Sequence, residues 1–240
     1  MNKKLRETLR LVWRGLLLEP AAYDEAAADD NPFVEGVFLV VGIGILAGLG
    51  MLIGGLLAWA TTPDLGQIKA IFLEALRNMA WYDTLRANPE ALRQFERQYE
   101  LGWRLGEFLA PSPSQAFLML LLTPLRLLLS WLWFGLVAHF VARLLGGNGT
   151  LGQTMGAAAL ATAPQLLLIA GLVPGLAVAG IGTWTLLTRY VAVRRVHENL
   201  PWPRVLVAVL TPPVLFILIG LILGLLSIPV LAGLLGGLFA

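Results

Sequence analysis

Residues 205–240 read VLVAVLTPPVLFILIGLILGLLSIPVLAGLLGGLFA, 36 positions without one charged side chain. A second uncharged stretch, Leu151–Thr188, runs for 38 residues. About 20 apolar residues suffice to cross the hydrocarbon core of a bilayer, so each stretch is long enough to span one. As a single straight helix at 1.5 Å per residue, 205–240 would measure about 54 Å, against a core about 30 Å thick. That excess predicts a break at Pro212-Pro213, giving a short interfacial piece and then a span. Ser227-Ile228-Pro229 is a second possible break.

Composition agrees with this reading. The chain has 240 residues, of which 58% are hydrophobic and 13% charged, and its mean hydropathy is +0.76. A soluble domain carries about 25% charged residues, so the polar skin of a water-soluble fold cannot be built here. A soluble enzyme, a disordered tail and a nucleic-acid binder are thereby excluded. There are no cysteines, which removes disulfides, thiolate catalysis and Cys-based metal sites. Lys3 and Lys4 suit the start of an export signal, but Glu7, Arg10 and Arg14 interrupt its apolar part, so the first span is expected to insert uncleaved.

Working along the chain, the pattern predicts an all-α polytopic membrane protein with about five transmembrane helices. Residues 1–32 form an N-terminal cytoplasmic unit: an amphipathic helix over 2–18, ended by Glu19-Pro20, and an acidic connector with Asp24, Glu25, Asp29 and Asp30. Residues 33–240 form the helical membrane domain. Its spans are expected at Phe33–Ala60, within Ala116–Leu145, at Leu151–Val173, at Leu176–Val193 and in the last apolar stretch. In the first span, Gly44/Gly48 and Gly50/Gly54 read as small-residue packing surfaces. Gly42-Ile43-Gly44 lacks the strand and spacing of a nucleotide loop. An extramembrane insert at 61–113 should hold two amphipathic helices broken near Asn88-Pro89. It suits either a cap on its own bundle or a docking surface for another protein.

Charge sets the orientation. An inside N-terminus places ten cations in short inside segments: Lys3, Lys4, Arg6, Arg10, Arg14, Arg143, Arg189, Arg194, Arg195 and Arg204. Six others lie in the 61–113 insert beside seven acids. The positive-inside rule then predicts N-terminus inside and C-terminus outside.

Few residues stand out chemically. Arg6, Arg10, Arg14, Arg194, Arg195 and His197 are candidate contacts for lipid phosphate or a partner. The N-terminal helix suits an anionic leaflet, or packing against the underside of the bundle. Gly146 and Gly147 should allow a tight turn between the second and third spans. Pro164 should kink the third span and free a carbonyl for a neighbouring polar group. Arg126 and His139 are the intramembrane polar residues. Arg126 either snorkels to the interface or is buried and functional, and His139 is expected to bridge helices by a hydrogen bond. No HExxH, GxSxG or intramembrane Asp pair occurs, and the sequence implies no metal, cofactor or catalytic residue.

Several residues together resemble the Ypt-interacting protein (Yip) family in its prokaryotic branch. They are the basic N-terminal helix leading to Glu19-Pro20-Ala21-Ala22-Tyr23, the Ala142-Arg143-Leu144-Leu145-Gly146-Gly147-Asn148-Gly149-Thr150 turn, Ala161-Thr162-Ala163-Pro164, and Arg194-Arg195-Val196-His197-Glu198-Asn199-Leu200 before a last span. Eukaryotic relatives bind Rab-type GTPases and act in vesicle traffic. The resemblance implies a non-enzymatic integral membrane protein whose partners are membrane lipids and other membrane proteins or a second copy, with a scaffolding or accessory role in a prokaryotic plasma membrane. The alternative class is a small-solute or anion transporter or channel.

Overall fold

The computed structural model describes residues 3–239, with side chains described over 5–229. Every regular element among them is helical. Two long helices form the axis of the bundle: α3 (Pro32–Thr61) and α7 (Pro113–Leu144). Both begin the same way, with a polar N-cap and proline in the first turn. Asn31 accepts from the Val34 N–H and Ser112 from the Gln115 N–H, while the proline lacks an N–H that would go unpaired there anyway. The pair is antiparallel. A Cβ added at Gly44 would lie 2.5 Å from Pro124 Cα, one at Gly48 3.1 Å from the Leu120 carbonyl, and one at Gly55 2.9 Å from Ala116 Cβ. Glycine thus brings the two backbones close without an intervening side chain. Gly50 and Gly54 face elsewhere, onto Ile169 and Gly171. The two small-residue pairs expected in the first span therefore serve two neighbours.

At the end where the N-terminus lies, here called the basal end, α1 (Lys3–Leu16) and α2 (Pro20–Ala27) pack against α8 (Leu151–Leu160) and the later α9 (Ile181–Val196). Val12, Ala22, Tyr23, Ala157, Leu160, Ala161, Ala163 and Ala192 form one buried cluster there. The connector expected over 19–32 thus contains a helix. Pro20 starts it, and burial of Ala22 and Tyr23 holds it in place. The α1 helix packs through only part of its surface. Leu5, Leu9, Trp13 and Leu17 remain exposed.

Beyond α8 the chain changes helix type. Ala163–Leu172 is a 3-10 segment with Pro164 in its first turn. Pro164 has no N–H for the α-type bond to Leu160, the Gln165 N–H bonds Thr162 instead of Ala161, and the freed Ala161 carbonyl accepts from Thr188 Oγ1 at 2.8 Å. A turn with Gly175 and Gly180 at positive φ then leads into α9. This helix starts five residues after the expected Leu176 and has 16 residues, about 24 Å of helix. Four helical segments have the length and apolarity to cross a membrane: Pro32–Thr61, Pro113–Leu144, Leu151–Leu172 and Trp202–Pro229.

The expected break in the last stretch does not occur. Helix α10 runs from Trp202 to Phe239 through Pro212, Pro213 and Pro229. Proline removes an N–H and crowds the preceding turn, but it does not end a helix held on both sides. Here Val205, Ala208 and Val209 are buried in the main core, and Trp133 Nε1 donates to the Pro212 carbonyl at 2.9 Å. The change at the prolines is one of surroundings: before them α10 is packed, and after them Val214–Ile228 is largely exposed.

The insert holds three helices instead of two: α4 (Leu65–Arg77), α5 (Ala80–Arg86) and α6 (Pro89–Leu109). Met79 is extended and splits the first expected helix, whereas Asn88 caps α6 where the second was expected to begin. Lys69 joins α4 to α6 through Glu100 at 2.6 Å, and Tyr99 donates to the Lys69 carbonyl.

Candidate functional site

The polar residues of the basal end converge where α7 turns into α8 and α9 turns into α10. Gly146 takes φ 95, a left-handed conformation that disfavours side chains. Gly147 faces the ring of His197: a Cβ there would lie 2.5 Å from Nδ1. His197 closes α9 and has no exposed surface. Its Nδ1 accepts from the Gly149 N–H at 3.1 Å, so the ring proton sits on Nε2, 3.3 Å from Thr154 Oγ1. Thr154 donates its own proton to the Thr150 carbonyl at 2.9 Å and also faces His139 Nδ1 at 2.9 Å. One hydroxyl therefore accepts from both imidazoles, whose ring centres are 5.7 Å apart. The His197 ring is neutral in this arrangement. A second proton on His197 would displace the Gly149 N–H. Burial, together with His139 and the Arg143 guanidinium, pushes His197 down to about 4.

The turn is tied on its outer side as well. Arg143 donates to the Gly147 carbonyl at 2.9 Å, Asn199 to Gly146 at 2.7 Å and Arg204 to Leu145 at 3.1 Å. Thr150 caps α8 reciprocally with Gln153, which pairs the backbone N–H of each. All these bonds are internal. They hold three chain segments together and leave neither imidazole nitrogen of His197 open to a ligand.

The other candidate contacts divide into two groups. Arg6 and Arg10 are exposed on α1. Arg14 pairs with Glu19 at 3.0 Å and Glu25 at 2.7 Å. Arg194 donates to the Glu198 and Leu200 carbonyls. Arg195 forms a two-pronged pair with Asp24, Nε to Oδ1 at 2.8 Å and Nη2 to Oδ2 at 2.5 Å. His197, expected as a lipid or partner contact, is enclosed within the turn. Expecting the basic residues to face outward overlooked the acids of the connector, which return to meet them.

Two further features escaped the sequence reading. Tyr23 is fully buried and donates to the Gly15 carbonyl at 2.7 Å, and Trp184 Nε1 donates to Leu16 at 2.8 Å. Together they fasten the end of α1. Arg189, assigned to an inside loop, sits in the middle of α9, with its guanidinium 4.4 Å over the Phe134 ring and Nη2 3.2 Å from Ser130 Oγ. Arg126 lies one helical turn from Ser130 on α7 and is exposed.

Among the described residues no group of three or more His, Cys, Asp or Glu is placed to hold a metal ion. No curated protein and no solved structure matches the chain. A family model described as the Yip1 domain matches residues 14–225, which takes in every helix from the end of α1 to the exposed part of α10. The first three candidate spans, most of the fourth, the basal turn and α2 fall inside that match, and this integral membrane protein belongs to the Yip1 domain family.

Proposed function

We propose that the protein is a non-enzymatic scaffold or accessory subunit that organises other membrane proteins in a prokaryotic plasma membrane. Its termini lie on opposite sides, N-terminus inside, and the chain crosses five times, with α9 and the turn before it completing the fourth crossing. One observation carries this reading: α1 is fastened to the bundle, yet it presents Leu5, Leu9, Trp13 and Leu17 outward beside Arg6 and Arg10. An apolar stripe with a tryptophan and flanking arginines suits the boundary between headgroups and acyl chains. A fixed helix of this kind attaches the basal end to the inner leaflet. The polar groups there are engaged in holding the fold, which supports a structural role over a chemical one.

Copurification after mild solubilisation tests the proposal. A partner or a second copy should persist, and a lone monomer across several detergents would count against it. A reporter fused after Ala240 tests orientation, because activity on the inside would overturn the five-crossing arrangement. A second reading, an anion or small-solute path, draws support from polar side chains between the 3-10 segment and α9, where Gln165 donates to Thr185 Oγ1 at 3.0 Å. Flux into liposomes above that of empty vesicles would favour this path.

A further inference from the structure

Arginine within a membrane-spanning bundle is costly unless something compensates its charge. Arg126 lies 13 residues from Pro113 and 18 from Leu144, about 20 Å and 27 Å along α7. Its neighbour Pro124 packs on Gly44, near the middle of α3. Arg126 is therefore far from both helix ends. Arg126, Ser130 and Phe134 follow at four-residue intervals, so they share one stripe of α7. Arg189 meets this stripe from α9, stacked on Phe134 and bonded to Ser130. Ser130 thus bonds one arginine and lies one helical turn from the other.

Neither arginine forms an ion pair among the described residues. Five arginines of the basal end do have partners: Arg14 and Arg195 take acids, and Arg143, Arg194 and Arg204 take turn carbonyls. A guanidinium has five N–H donors, and Ser130 takes one of those on Arg189. Phe134 covers one face of the group and so fixes its plane. The stripe opens sideways, since Leu125, Leu129 and Ser130 are exposed next to it. The stripe is therefore open at the surface of the bundle. Arg189 bonded to Ser130 and Arg126 one helical turn away on the same stripe, neither in an ion pair among the described residues, offer the forked donors that a phosphate group accepts.

We infer that Arg126, Arg189 and Ser130 form a lateral binding site for a phosphate-bearing anion between α7 and α9. The inference rests on the chain spanning the membrane, and not on its scaffolding role. The phosphate can come from a lipid headgroup or from free phosphate, and two measurements separate these sources. In the first, protein in mixed phosphatidylglycerol and phosphatidylcholine nanodiscs is released and its retained lipids are counted by native mass spectrometry. In the second, inorganic phosphate is titrated into detergent-solubilised protein and followed by calorimetry.

The wild type should retain phosphatidylglycerol over phosphatidylcholine, or bind inorganic phosphate. Arg126→Gln and Arg189→Gln should each weaken whichever binding occurs about tenfold. Arg189→Lys should fall between, because it keeps the charge and loses the fork. Arg6→Gln with Arg10→Gln, at the basal surface, should leave it unchanged. If Arg189→Gln fails to fold, Arg126→Gln decides, because that side chain is exposed and makes no described bond. Wild-type protein with neither lipid preference nor phosphate binding overturns the inference, as does binding unchanged in Arg126→Gln. Loss of copurifying partners with the site intact would count against the scaffolding proposal alone.

Discussion

Removing the titration of His197 while keeping its hydrogen bonds should flatten the pH dependence of stability. In the native turn Nδ1 must accept from Gly149 and Nε2 must donate toward Thr154, so the fold requires a neutral ring. The ring titrates near 6.5 when unfolded and about 4 when folded. Below 6.5 the unfolded chain binds the proton and the native chain does not. Stability from this group is therefore full above about pH 6.5 and is lost as pH falls toward 4. Between pH 7 and pH 5 the loss amounts to about 2 kcal/mol, and it approaches about 3 kcal/mol below pH 4. For a chain of this length, 2 kcal/mol corresponds to roughly 4–8 °C in Tm. His197→Gln offers an oxygen to Gly149 and an N–H to Thr154 and has no proton to gain. Thermal unfolding of both proteins in one detergent, followed by tryptophan fluorescence at pH 7 and 5, gives the difference. His139 and Arg143, the other charged or titratable groups facing the ring, are common to both proteins, so the difference isolates His197. Equal shifts in the two proteins would show that the turn does not depend on a neutral His197.

Three further outcomes follow from the packing. Gly147→Ala should lower stability by about 1–3 kcal/mol through its clash with His197, whereas Gly152→Ala, with open space around it, should be neutral or better; denaturation midpoints compare them. Gly44→Val should press α3 away from Pro124 and reduce the folded, monodisperse fraction on size exclusion, while Gly42→Ala should not. Asp24→Ala and Arg195→Ala should each cost up to about 1 kcal/mol, because the pair is more than one-third exposed to solvent, and a double-mutant cycle should recover their coupling.

The apolar spans and their punctuation were legible because they depend on length and local chemistry. Long runs with few or no charges marked the spans, and Gly44, Gly48, Gly50 and Gly54 announce close packing whatever the partner. The identity of the partner was not legible: α7 takes one pair and the 3-10 segment the other, which only the three-dimensional arrangement decides. The proline pair in α10 misled for a related reason. Local sterics favour a break, and tertiary contacts at Val205, Val209 and Pro212 override them. The basal turn was partly visible in its glycines, but the role of His197 depends on Gly149 and Thr154, 48 and 43 residues away. A longer separation, 171 residues, concealed the Asp24–Arg195 pair. A surface cation and a buried or paired one look alike in one dimension.

The span of that pair bears on how the protein is made. Asp24 waits for Arg195 across 171 residues of chain. At about 5–20 residues per second of synthesis, the interval is roughly 10–30 s. For most of that time the first helices to emerge have neither α8 nor α9 to cover Val12, Ala22 and Tyr23. The part of the protein translated first is thus among the last to reach its final neighbours, and its apolar stripe gives it a membrane surface on which to rest until they arrive.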